Sequence, residues 1–286
     1  MVDGRTVIGP LGRSVRDVRL GLSVIAGPDG RDPSMPPVAR VADCSVSGLR
    51  IALHRDGGDA SCHPAIAGAM DVVAATLRAA GAVVEERDVL DVRRAADVTR
   101  RYWRRAGLAP IDLERLLGDW DLCRTEAMLL LDDIDAIVSP AAPHLAPVIG
   151  EGSMADWTYT LAPSLWGWPA IAVPVGMADG LPYAAQVVAG PWREDIALAV
   201  AEVLEPLVTL PIAPCPNPWP RLGARNPLRV RPGPPAQSPG CSAQQSRHEV
   251  AVFLVADSRG PRNDSVSRGV FVDWLGRLRD GSSFDG

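Results

Sequence analysis

The sequence predicts an α/β fold, a mixed sheet flanked by helices, and three observations carry that expectation. Short apolar runs of strand length recur at Leu49–His54, Val83–Val84, Asp135–Pro140, Ala170–Val175 and Tyr183–Ala189. Between the first two lies a segment with apolar residues at helical spacing, Ile66, Ala69, Met70, Val73 and Leu77, and strand, helix and strand in that order suit a mixed layer. The third observation is Leu161–Glu205, which reads as loop, buried strand, tight turn, second strand and apolar helix, with Asp179–Gly180 as the turn signal.

Taken in order, Ser14 with Asp17 three residues on is a capping-box pattern, with Asp in place of the commoner Glu. Val15, Val18, Leu22 and Ile25 then mark one face of a short helix that Gly27 and Pro28 end. The loop PDGRDPS follows and is explained by its turn residues alone. Leu49–His54 is a strand, His63–Pro64 opens a helix that runs through Ala80, Gly81 terminates it, and Val83–Val84 resumes an extended path.

The connection HRDGGDASCHP holds a His/Cys cluster, His54, Cys62 and His63. Its spacing matches no zinc pattern, and adjacent Cys62 and His63 lack the geometry that activates a thiolate. A metal site and a Cys–His pair therefore yield to a polar surface loop. Val89–Ala106 is arginine-rich and helical, with Asp88, Asp91 and Asp97 diluting an anion-binding face, so a solvated helix is expected. A further helix is expected over Trp120–Asp132, with Leu122, Met128, Leu129 and Leu131 among its buried residues.

Asp135–Pro140 is a compact strand, and the proline-rich loop after it carries His144. Loops leaving the ends of such strands are common homes for ligand contacts. Trp157, Tyr159, Trp166 and Trp168 fall close together just before Ala170, where they could wall an apolar pocket or pack in the core. Glu194 and Asp195 open a helix with Ile196, Val200, Val203 and Leu204 on its apolar side, acidic residues being favoured in a first turn. After Glu205 the chain becomes rich in Pro, Arg and Gly, which divides it into residues 1–205, an α/β domain, and residues 206–286, a tail expected to be disordered or read out of frame.

Composition excludes several functions. The 286 residues carry a net charge of −5, which gives no basic balance for nucleic acid or an anionic membrane. All 29 basic residues are arginine, and arginine cannot serve as a tuned general base, so a mechanism that needs a catalytic lysine is closed to this chain alone. The 5 cysteines are irregularly spaced without a CxxC, and the apolar runs fall short of the ~20 residues that span a bilayer. No secretory leader is evident, so a cytoplasmic, reducing setting is expected, with no cofactor and no metal.

Four segments resemble elements of the amidase signature hydrolases. GPLGRSVRDVRLGLSVIAGPDGRDPS is similar to the family's GP(M/L)-x-R-S/T-V-x-D…IAG-x-D-x-x-D-P segment. SCHPAIAGAMDVVAATLRAAGAVVEE resembles its Pro-initiated helix and following strand, and DDIDAIVSPAAPHLAP its D-x-(I/L)-x-x-P-T-x-P-x-x-A-P element. LWGWPAIAVPVGMADGLPYAAQVVAGPWREDIALAVAEVLE resembles the G-x-P-A-x-x-x-P-x-G…GLP-x-G-x-Q-x-x-G element. The resemblance covers residues about 7–205 and is to the C-terminal half of the family only, with Ala141 in place of the usual threonine and Ala185 in place of the glycine before Gln186.

The resemblance implies an incomplete amidase-signature-like mixed sheet and an activity toward carboxylic amide C–N bonds. Family members use a serine nucleophile, a bridging serine and a lysine base, and those elements are expected to lie upstream of Met1. No catalytic residue is assigned: Ser14, Ser139 and Ser164 have no lysine partner, and no spacing pairs a serine with His63 or His144. The substrate-pocket candidates are His144, Trp157, Trp166, Trp168 and Gln186, and their aromatic content favours an apolar or aromatic amide. The expected partner is a small-molecule amide, if the site is completed, with no nucleic acid and no membrane, and with self-association through exposed sheet edges. Two alternatives stand beside this reading: a non-catalytic remnant or interaction module, and a fragment of an aminoacyl-tRNA amidotransferase amidase subunit.

Overall fold

The computed structural model describes residues 9–27, 42–148 and 150–208. The loop at Pro28–Ser34 and nearly all of the 206–286 tail lie outside the described residues.

Five strands form one mixed sheet in the order β2-β1-β3-β5-β4. β1 (Arg50–Leu53) runs parallel to β2 (Val83–Glu86) and to β3 (Ala136–Pro140), while β5 (Leu181–Ala189) is antiparallel to both β3 and β4 (Ala170–Ala178). Parallel neighbours need long crossovers. α2 (Pro64–Ala79) makes the β1–β2 crossover, and α3 (Val92–Trp103) with α4 (Pro110–Met128) makes the β2–β3 crossover. The β4–β5 pair is a hairpin. Asp179 and Gly180 have φ of 50° and 76°, the two left-handed positions of a type I′ turn, and Ala178 pairs with Leu181 across it.

Alternation of side chains along the strands builds two cores. Ile51, Leu53, Val84, Val138, Ile171, Val173 and Val187 point to the face covered by α1 (Val15–Ile25), α2 and α6 (Glu194–Leu204). Ala52, Ile137, Ala170 and Val188 point to the opposite face, covered by α3, α4 and α5 (Thr158–Trp166). Each fully buried Ile or Leu in these layers contributes about 1.5–3 kcal/mol through area removed from water.

Local signals place the helices of the first layer. The Ser14 hydroxyl accepts from the Asp17 N–H at 3.1 Å, and Val15, Val18 and Leu22 are buried against α6. Ile25 is 51% exposed, so the inner stripe of α1 stops one turn earlier than the spacing predicts. His63 caps α2, its Nδ1 accepting from the Ala65 N–H at 3.3 Å ahead of Pro64, whose missing N–H costs nothing in a first turn.

Three expectations need correction. The Trp120–Asp132 helix starts ten residues earlier, at Pro110, and buries Leu116, Cys123 and Ala127; Leu122, Met128 and Leu129 are exposed and Leu131 is half-buried. Apolar residues all round α4 hid its inner face. Leu161–Trp166, read as loop, belongs to α5, which tolerates Pro163 inside it and ends at left-handed Gly167, φ 73°. His54, expected in a polar surface loop, is fully buried.

The two sheet edges are blunted. β2 is four residues long and exposes Glu85 and Glu86, whereas β4 carries Pro174 and an irregular register between Pro174 and Gly176.

Candidate functional site

Ligand sites in open α/β sheets lie at the carboxyl ends of parallel strands. Here those ends are Leu53 and Pro140, and the loops leaving them are tied together, with the His63 N–H donating to the Pro143 carbonyl at 2.8 Å. β5 begins at the same end, its Gln186 opposite Ser139 in register.

His54 follows β1 directly. Its N–H donates to the Val138 carbonyl at 2.9 Å, which extends the strand by one residue and turns the ring inward. Nδ1 accepts from the Val89 N–H at 3.1 Å and from the Leu90 N–H at 3.4 Å. The same nitrogen lies 3.2 Å from Asp88 Oδ1. Burial pushes the imidazole below its ordinary value, only partly offset by Asp88 and Asp56, so the ring is neutral and the two N–H donors assign its hydrogen to Nε2. A ring whose lone pair is already used by the backbone is not a general base.

Asp88 organises the first residues of the loop. Its Oδ1 accepts from the Arg55 N–H at 2.8 Å and the Asp56 N–H at 2.9 Å. Burial raises its carboxyl, but these bonds and His54 outweigh that and hold it below the usual carboxylate range. Arg55 reaches back to Asp71 Oδ1 at 2.6 Å and Glu86 Oε1 at 3.1 Å, fastening the loop to α2 and β2.

Tyr159 on α5 closes the loop from the other side. Its hydroxyl donates to the Arg55 carbonyl at 3.0 Å, its ring meets His54 edge-on at 5.9 Å, and neighbouring Thr158 donates to the Gly57 carbonyl at 3.2 Å. A Cβ at Gly57 would fall 2.8 Å from the Ala60 carbonyl and 2.9 Å from the Tyr159 hydroxyl, so a side chain has no room there. Cys62 is bonded to Tyr159 and not to a histidine; burial pushes its thiol up, which leaves a poor nucleophile. Burial pushes the Tyr159 phenol up as well, with Cys62 adding to it.

The five pocket candidates separate. Trp166, the last residue of α5, and Trp168 are 8% and 2% exposed, with rings 5.0 Å apart, in the core on that face of the sheet. Gln186 is buried and its Nε2 donates to the Tyr159 carbonyl at 3.1 Å. Trp157 is 38% exposed. His144 is half-exposed, its Nδ1 3.1 Å from Asp156 Oδ1. Asp156 also accepts from the Ser153 N–H at 2.6 Å as part of a capping box; burial raises its carboxyl, but Ser153 and His144 outweigh that and hold it below its ordinary value. A carboxylate acceptor there assigns the His144 hydrogen to Nδ1 and leaves Nε2 as an acceptor.

The serines are engaged elsewhere: Ser14 caps α1, and the Ser139 hydroxyl donates to the Pro140 carbonyl at 3.0 Å. Among the described residues no group of three His, Cys, Asp or Glu side chains is placed to hold a metal ion. Among the described residues this arrangement offers polar contact at His144 and loop positioning by His54, Asp88 and Tyr159. Sequence reading missed the roles of Asp88, which sits in a run of mixed charge, and of Asp156, a lone acid beside Trp157, and took Tyr159 as one aromatic among several.

Comparison with known proteins adds the relatives. A family model described as Amidase matches residues 2–112. That placement corrects the likeness read above as the family's C-terminal half only over residues about 7–205: the family match falls on the N-terminal part of this chain. Indoleacetamide hydrolase of Bradyrhizobium japonicum is 25% identical over 240 residues, 69% of this chain and 51% of that protein. A glutamyl-tRNA(Gln) amidotransferase subunit of Pseudomonas putida is 25% identical over 256 residues, 68% of this chain and 53% of that protein. The structure of 6-aminohexanoate cyclic dimer hydrolase superposes with a TM-score of 0.57 at 25% identity, covering 68% of this chain and 53% of that one. The chain thus spans about half the length of the curated relatives it matches. Over roughly two thirds of its length the chain is similar in sequence and in fold to amidase-signature hydrolases.

Proposed function

We propose that this polypeptide is an amidase-family hydrolase component directed at carboxylic amide C–N bonds, and that these 286 residues alone do not turn over substrate. The observation that carries the second half is that the histidines and cysteine of the 54–63 loop are engaged and no lysine is present. His54 spends its lone pair on two backbone N–H groups, Cys62 is a protonated thiol, His63 caps a helix, and the chain contains no lysine. Amide cleavage needs a nucleophile with a base in reach and donors for the oxyanion. The nucleophile, the bridging serine and the lysine base are therefore proposed to come from polypeptide beyond these residues.

His144 and Trp157 are the pocket candidates with surface to offer a substrate, whereas Trp166, Trp168 and Gln186 are buried. The substrate class proposed is an apolar or aromatic amide, with the protein in the cytoplasm. The test is ammonia release by the purified full chain from paired aliphatic, aromatic and charged primary amides. No turnover above buffer is expected, and turnover of any of the three would overturn the proposal of inactivity. Reading the coding DNA upstream of Met1 for an in-frame lysine segment and a GGSSGGS-like run tests where the catalytic groups come from.

A non-catalytic interaction module is the second reading, favoured by the exposed Leu20 and Val24 of α1 and Leu117 and Leu122 of α4. It predicts unrelated sequence or stop codons upstream. A third proposal, a fragment of an amidotransferase amidase subunit, is supported by the relatives that are glutamyl-tRNA(Gln) amidotransferase subunits.

A further inference from the structure

One nitrogen in this molecule faces both donors and an acceptor. Nδ1 of His54 has the Val89 and Leu90 N–H groups at 3.1 and 3.4 Å and the Asp88 carboxylate at 3.2 Å. It cannot serve both, because accepting requires a lone pair at Nδ1 and donating requires a hydrogen there. The side chain is fully buried, and its Nε2 has no hydrogen-bond partner among the described residues, so the ring's polar contacts are those at Nδ1.

We propose that His54 is an acid-sensitive latch. As the neutral ring it accepts from Val89 and Leu90 and holds the entry of α3 on the end of β1; on taking one proton from solvent the same nitrogen becomes a donor to Asp88 and releases those two amides. The two states differ by a single proton on the ring. The position matters because α3 opens immediately afterwards, with Asp91 as its N-cap, and Val92 is packed in the core beneath α5. Release of Val89 and Leu90 therefore frees the start of a helix that covers one face of the sheet.

The groups that face His54 set the direction of the response. From the β2–α3 connection comes Asp88, from its own loop Asp56 and Arg55, and from α5 the Tyr159 ring, whose hydroxyl is bonded to the Arg55 carbonyl and to Cys62. Asp88 and Asp56 favour the protonated ring and burial opposes it, with burial the larger effect. The folded protein therefore binds this proton less readily than the opened segment does. The latch is closed above the ordinary histidine value of about 6.5 and loosens as the pH falls below it.

Amide hydrogen exchange on the full chain reads the latch. After division by the intrinsic rate, exchange at Val89 and Leu90 should rise up to roughly tenfold per pH unit below about pH 6.5, as a single linked proton requires. The Val188 amide in β5 serves as a core reference. In His54→Asn, whose side-chain oxygen accepts as Nδ1 does but does not titrate, the rise should vanish. In Asp88→Asn, which removes a charge that favours the protonated folded ring, it should begin at the same pH and continue to a lower one. Nitrogen chemical shifts of the wild-type ring provide a measurement that needs no variant: an Nε2–H tautomer at neutral pH and a midpoint below 6.5 are expected. A flat exchange profile, an unchanged rise in His54→Asn, or an Nδ1–H tautomer at neutral pH would each overturn the latch.

Discussion

Gln186 supplies the hydrogen bond that Pro163 withholds. Pro163 lies inside α5 and has no N–H, so the carbonyl four residues earlier, that of Tyr159, lacks its regular α-helical donor. Gln186 Nε2, from the middle of β5, donates to that carbonyl at 3.1 Å in a buried setting. One polar side chain thereby satisfies a helix defect and joins α5 to the sheet.

Gln186→Ala should accordingly cost about 1–3 kcal/mol, the penalty for a buried carbonyl left without a partner. In a Pro163→Ala background the helix can supply its own N–H, and the same substitution should cost less. Urea unfolding of the four proteins closes the cycle, and equal costs in both backgrounds would show that the two residues are uncoupled.

Tyr159→Phe removes the hydroxyl that donates to the Arg55 carbonyl and keeps the ring against His54. A loss of about 1–2 kcal/mol in stability is expected, with faster amide exchange confined to the 55–63 loop. Exchange that rises equally throughout the sheet would instead mark a global effect.

Gly176 and Tyr183 oppose one another across the hairpin, and a Cβ on Gly176 would collide with the hydroxyl oxygen and ring carbons of Tyr183. The tyrosine lies where the glycine has no side chain, covering bare backbone on an edge strand. Gly176→Ala should destabilise by about 1–3 kcal/mol by displacing that ring, and Tyr183→Ala in the same protein should recover part of the loss. Thermal unfolding of the single and double variants checks this.

Arg50 and Asp135 pair at the other end of the parallel strands, Nη2 to Oδ1 at 3.0 Å and Nε to Oδ2 at 3.3 Å, while the Arg50 N–H donates to the same carboxylate at 2.8 Å. The guanidinium holds the Asp135 carboxyl below its ordinary value, with burial opposing. A depressed carboxyl stabilises the fold above its unfolded value, near pH 4, and that stability is lost as the pH falls through the folded value. Asp135→Asn should therefore flatten the fall of the urea midpoint below about pH 4 and leave the His54-linked change below about pH 6.5 in place. An unaltered acid limb would remove Asp135 from the account.

The order of strands and helices was legible because its signals are local. Ser14 caps the helix it precedes, Asp179–Gly180 closes the hairpin it separates, and Asp135–Pro140 and Tyr183–Ala189 mark buried strands. α4 was not legible, since Leu117, Leu122, Met128 and Leu129 are as apolar as the buried Leu116 and only α3 and α5 decide which side is covered. α5 was missed because Pro163 argues against a helix, and the partner that permits it lies more than twenty residues later. The candidate site was less legible still. Trp166 and Trp168 carry the same residue type as Trp157 yet are buried, and His54 sits among charged neighbours yet is enclosed.

By itself the sequence determined the α/β class, the β1–β2 crossover helix, the hairpin turn and the absence of any lysine for catalysis. Those follow from residue type and near-neighbour spacing. Tertiary structure alone decided that His54 is locked by Val89 and Leu90, that Gln186 serves Tyr159, and that His144 is oriented by Asp156. Hydrogen bonds between segments 12 to 36 residues apart depend on how elements pack, and the polarity of a side chain names no partner at that distance.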